Sequence, residues 1–140
     1  MIRAVLGFIV AAVLWAPAFF TLARIGFFIW PDYETHARAW LDEGVFTFPA
    51  PMAAYNVVCW ALAHVVVGWL GVAIGARREV AWVLAAVLAL YLSAVHLVLY
   101  WPNFPWWYNL GVALLAAPAV LLGGKLAGRF VQSKEPVTAH

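Results

Sequence analysis

Charge is what this sequence has least of. Asp, Glu, Lys and Arg make up 10% of its 140 residues, where an ordinary soluble domain carries about a quarter. Cysteine is almost missing as well. Cys59 stands alone, so the chain can form no internal disulfide and holds no CxxC pair for redox or zinc chemistry. The net charge of +2 is small, and the basic residues are scattered at segment ends instead of forming a stripe, which argues against a nucleic-acid partner. No nucleophile–base pair, phosphate loop or ligand cluster can be found, so the sequence points away from an enzyme and calls for no cofactor and no metal.

Apolar residues are abundant instead. They form 67% of the chain, with a mean hydropathy of +0.93. A chain this short leaves much of its surface exposed when folded, so water alone cannot be its solvent. A bilayer crossing needs roughly 20 apolar residues, and four runs qualify: about Ala4 to Phe28, Ala53 to Ala76, Val80 to Tyr100, and Trp107 to Leu126. The predicted fold is an all-α membrane protein: a single four-transmembrane-helix bundle, with an outer loop over 31–51 and a tail over 127–140.

Lys and Arg placement predicts the orientation. Arg3, Arg77, Arg78, Lys125, Arg129 and Lys134 fall on one side, which becomes the cytoplasmic face of a bacterial inner membrane and holds both termini. The other side receives a loop with Asp32, Glu34, Asp42 and Glu43 against Arg38, and the uncharged turn from Trp101 to Trp106. The N-terminus imitates a secretory signal through Arg3, an apolar run and Ala16-Pro17-Ala18. Because the chain stays apolar after Ala18, an uncleaved anchor is the expectation.

Within the outer loop, Tyr33, Ala37, Trp40 and Leu41 recur at the spacing of one helix face, and Gly44 supplies a stop. A short amphipathic helix at the membrane interface is predicted. A metal site from Asp32, Glu34 and His36 would need an extended strand, which that periodicity opposes.

No carboxylate lies inside a span, which disfavours a proton-coupled carrier built on a membrane glutamate. Arg24 sits about 20 residues, or roughly 30 Å, from Ala4, and should snorkel to the outer headgroups or pair with an acid of the outer loop. His64 and His96 invite a haem b reading. Measured along the helices, however, they sit roughly 16 Å and roughly 6 Å from the outer face, an offset too large for two axial ligands of one iron. At His64's depth the partner expected is Tyr91, through an interhelical hydrogen bond.

Asn56, Cys59, Ser93, His96, Asn103 and Asn109 share the outer third by the same measure, and an unpaired amide or imidazole in hydrocarbon costs several kcal/mol. They should converge on one another or on a ligand cleft. The aromatic turn "YWPNFPWWYNLG" would serve first as an interfacial anchor, with Trp106 and Trp107 roofing that cleft. The ligand-binding candidates are therefore Asn56, His64, His96, Asn103, Asn109, Trp106 and Trp107.

Gly71-xxx-Gly75 and Gly124-xxx-Gly128, with Gly68, mark close helix packing inside the bundle, or else a contact with another chain. Pro17 and Pro118 are expected to kink the first and fourth spans. The leading functional reading is a non-enzymatic membrane protein that binds an apolar or amphipathic ligand or serves as a subunit of a larger membrane complex. The alternatives are a homo-oligomeric transporter or channel and a haem b electron carrier.

Overall fold

The computed structural model describes residues 1–132; the tail expected over 127–140 lies outside them from residue 133 on, Lys134 included. The chain is an all-α bundle of four apolar helices, each long enough to span a membrane. The elements are α1 (Ile2–Ala23), α2 (Gly26–Ile29), α3 (Tyr33–Glu43), α4 (Ala50–Gly75), α5 (Glu79–Ala94), a π-helical turn over Val95–Leu99 that continues α5, and α6 (Trp106–Gln132). Consecutive long helices run antiparallel. The most extensive contact joins α4 to α6, followed by α1 with α4 and then α5 with α6, so α4 is the central helix.

The basic end is packed backbone against backbone. A Cβ added to Gly68 would run into the carbonyl of Val120, and one on Gly123 into the carbonyl of Val65, so α4 and α6 approach through these two positions. On α1, Gly7 fits against the backbone of Gly71 and Gly75, where an added Cβ would lie 2.6 Å from the Gly75 nitrogen. Without a hydrophobic drive between helices in lipid, such dispersion contact holds a bundle together, and only small residues permit it. The small-xxx-small pairs therefore act inside this one chain. Gly124 meets Ala81 of α5, and Gly128 lies under the Arg78 side chain.

Several elements differ from their sequence-based expectations. The first span runs as expected over Ile2–Ile29, but it tightens locally: α1 ends at Ala23, Arg24 and Ile25 form a turn of right-handed backbone, and α2 follows. Just beyond the turn, the missing side chain of Gly26 makes room for the Tyr33 ring; a Cβ there would lie 2.7 Å from it. The carbonyl of Leu22, which accepts from the Ile25 N–H, also accepts a 2.8 Å hydrogen bond from the Tyr55 hydroxyl. Pro17 and Pro118 do not end their helices, which run on through both. The last helix continues to Gln132, so the first residues of the expected tail, 127–132, are helical.

The short helix α3 forms as the spacing predicts. Asp32 caps α3, and Gly44 closes it with φ 69°, a left-handed conformation that glycine adopts without steric cost. Its apolar face beds on protein. Tyr33 is buried, and Ala37 and Trp40 pack with Phe19, Phe48 and Phe104 into one aromatic core. After Gly44 the chain is irregular to Pro49, and Phe46 and Phe48, two residues apart, both pack into that core.

Candidate functional site

The buried polar groups of the spans collect toward the α3 end, but they do not form one cluster. His96 sits on the π-helical turn and is buried, with its Nδ1 3.0 Å from the Asn109 Oδ1 of α6. The Asn109 amide nitrogen faces the carbonyl of Phe104 at 3.4 Å, which leaves Oδ1 as acceptor and His96 Nδ1 as donor. A π-helical turn re-aims side chains relative to an α-helix, and here it turns the imidazole toward α6. Tyr100, Phe104 and Tyr108 surround the ring.

Asn56 belongs to a different pair. It is 1% exposed, and its Oδ1 accepts a hydrogen bond from the Tyr33 hydroxyl of α3. Its amide nitrogen has no partner among the described residues. Burial raises the Tyr33 hydroxyl pKa well above the ordinary tyrosine value, with Asn56 opposing that shift. The pair fastens α3 to the central helix.

His64 is a third, separate centre, and its partner is not Tyr91. The Trp60 carbonyl accepts from Nδ1, which fixes the proton there, and Nε2 accepts from the Trp15 indole at 3.1 Å. Both ring nitrogens are thereby engaged, and neither keeps a free lone pair for iron. Tyr91 is 52% exposed and stands T-shaped against the Trp15 ring, with centroids 5.8 Å apart. Depth along a helix matched His64 with Tyr91; rotation about the helix axis gave the partnership to Trp15.

The aromatic turn divides its rings between two tasks. Trp101 and Trp106 face outward, Trp106 with 64% exposure, as anchors at an interface would. Phe104 is buried and stacks on Tyr100 with centroids 4.7 Å apart, while Tyr108 accepts from the Trp60 indole at 3.3 Å. Asn103 is exposed, and Trp107 is half-buried against Tyr108. The roof over His96 is thus Phe104 and Tyr108 with Phe46, rather than Trp106 and Trp107.

The helix sets Asp32 and His36 one turn apart on one face and turns Glu34 away from them. His36 reaches back to Asp32 at 3.4 Å and across to Thr47 at 2.8 Å, while Glu34 takes Arg38 at 2.7 Å. Arg24 is exposed, and among the described residues no carboxylate lies within ion-pair distance of it. It edges a groove of about 250 Å³ between α1 and α3, walled by Phe19, Phe27, Trp40 and Leu41.

Trp15, Tyr33, Trp60 and Tyr108 carry half of these hydrogen bonds, yet the sequence-based site omitted all four. Their signal was chemical: a buried indole or phenol needs a partner for its N–H or O–H, and buried amides and imidazoles need the same. Comparison of the chain with protein-family models, curated proteins and solved structures finds no match.

Proposed function

We propose that this small polytopic membrane protein is non-enzymatic and binds an amphipathic ligand in the groove between α1 and α3. The observation that carries this reading is Arg24. It stands at the edge of an apolar, ring-lined groove with no carboxylate beside it among the described residues. A ligand with an apolar body and one anionic group complements both features, its tail against Phe19, Phe27 and Trp40 and its acid at the guanidinium. The histidine and asparagine pairs then act as a frame for the groove's walls, since their bonds tie α3 and α1 to α4, and the turn after α5 to α6. In this reading the α3 end faces outward from a bacterial inner membrane, as the Lys and Arg bias argues. A cysteine replacing Glu34 is expected to react with an impermeant thiol reagent outside intact cells, and protection of that position would reverse the orientation.

Native mass spectrometry of the full chain, titrated with oleate, tests the groove. Arg24→Gln is expected to weaken binding about fivefold, the loss of one cation facing one anion near a membrane surface. Ala37→Trp, which fills the groove, is expected to abolish binding while leaving the helical circular dichroism intact. Undiminished oleate binding in Ala37→Trp would refute the groove as the site.

A further inference from the structure

A second groove lies at the opposite end of the bundle and differs from the first in charge. It runs between the start of α5 and the end of α6, encloses about 490 Å³, and is lined by Arg78, Trp82, Lys125 and Arg129 around Ala81, Leu121 and Gly124. Its construction follows from helix spacing. Arg78, the N-cap of α5 with helical backbone, is four residues before Trp82, and Lys125 and Arg129 are four apart on α6, so each pair shares one face. Gly124 brings the two helices together at the floor, where an added Cβ would come 2.5 Å from that of Ala81. Gly128 gives the Arg78 side chain a bed, since a Cβ there would lie 3.1 Å from its Nε. The guanidinium is thus laid across α6 toward the two cations of that helix.

Three positive groups from two helices converge here, and among the described residues none has a carboxylate within ion-pair distance. Like charges so placed repel one another. Lys125 and Arg129 gain something from the negative end of the α6 dipole, but that does not account for Arg78, which belongs to the start of α5, where the dipole is unfavourable. The neighbouring groove between α1 and α5 makes a useful contrast. It holds Arg77 together with Glu79 against Ala4, Phe8 and Val83, so both signs are present and it needs no anion. Of the two grooves at this end, the α5–α6 one carries charge of a single sign.

We propose that this groove binds a phosphate ester, the headgroup of an anionic phospholipid. Arg78 and Arg129 offer planar forks that match phosphate oxygens, and Lys125 adds a point charge. The acyl chains would leave along Trp82, which is 66% exposed, and Leu121 deeper in the span. Basic pockets between membrane helices at one face of a bilayer suit such headgroups. A free phosphate offers the same oxygens without the chains, and the apolar wall favours the lipid.

The test uses the full chain in a neutral detergent, with native mass spectrometry titrated with phosphatidylglycerol, phosphatidylcholine or inorganic phosphate. Phosphatidylglycerol is expected to bind more tightly than phosphatidylcholine, and Lys125→Gln/Arg129→Gln is expected to weaken it about thirtyfold, the effect of two cations near an anionic lipid. Arg3→Gln/Arg77→Gln removes the same charge at the same end but outside the groove, and is expected to change binding less than twofold. Arg24→Gln is expected to change nothing, which keeps this site distinct from the oleate groove. Inorganic phosphate bound as tightly as the lipid, with the same dependence on Lys125 and Arg129, would overturn the lipid assignment in favour of a soluble phosphate. Equal binding of the two lipids, or equal losses in the two double variants, would overturn the site altogether.

Discussion

At the basic end of the bundle, Gly7 of α1 lies against Gly71 and Gly75 of α4, and Gly68 of α4 against the backbone of Val120. At the α3 end the same helices are spaced by rings. Phe19 of α1 stacks on Trp60 of α4 with centroids 3.8 Å apart, and Trp60 reaches Tyr108 of α6. One end brings backbones together, and the other fills the space between them with aromatic surface and satisfies the polar atoms that come with it. The difference bears on function. Glycine contacts leave no interior room, so a ligand at the basic end must sit between helices at the surface. Ring packing at the α3 end leaves an irregular wall, and the α1–α3 groove is where that wall is incomplete.

The largest effect is expected where the close contact is removed. Gly68→Leu would drive a branched side chain into the Val120 carbonyl, which cannot yield without separating α4 from α6. A destabilisation above about 3 kcal/mol is expected, at the upper end for overpacking, measured by unfolding in mixed micelles. A near-neutral result would mean that the basic end is as adaptable as the ring-packed end.

The ring-packed end has its own breaking point. Trp60→Ala removes the stack with Phe19, the Trp15 contact and the bond to Tyr108 together. About 3 kcal/mol is expected, since neighbouring rings close only part of such a cavity. Hydrogen exchange is expected to rise in α3 and the 100–105 turn while the Gly68 region stays protected. Uniform loosening would show that the two ends are one cooperative unit.

How much of this was legible beforehand differs between the two ends as well. Four helices, α3 and the glycine contacts were readable, because apolar length, the spacing of Tyr33, Ala37 and Trp40, and small residues four apart are properties of a single segment. The polar pairs at the α3 end were not. A residue count along a helix gives height but not facing, so it grouped Asn56, His96, Asn103 and Asn109 by depth while the fold sent Asn56 to Tyr33 and left Asn103 exposed. The inward turn of Phe46 and Phe48 was available in their two-residue spacing, in a segment that the helix period did not describe. The seat of the Tyr33 ring on Gly26 joins two segments distant from each other in their own patterns, and neither pattern encodes that contact.

The smallest effect, and the sharpest test of how the α3 end is closed, concerns Tyr33. Its hydroxyl donates to Asn56 in a buried place, so Tyr33→Phe loses one hydrogen bond and leaves the amide with neither polar atom paired. About 1 kcal/mol is expected. Burial raises the pKa of this hydroxyl above its unfolded value, so the neutral phenol is the form the fold favours. Its contribution is therefore whole below the ordinary tyrosine pKa of about 10 and is lost as pH rises through the folded value. Hydrogen exchange across α3 is expected to accelerate above about pH 10 in the wild type and to do so less in Tyr33→Phe, which has no proton to lose there. The Gly68 region, far from this hydroxyl, is expected to show the same pH response in both proteins. Identical profiles for α3 would mean that the ring of Tyr33 in its seat on Gly26, and not its hydroxyl, holds the helix down.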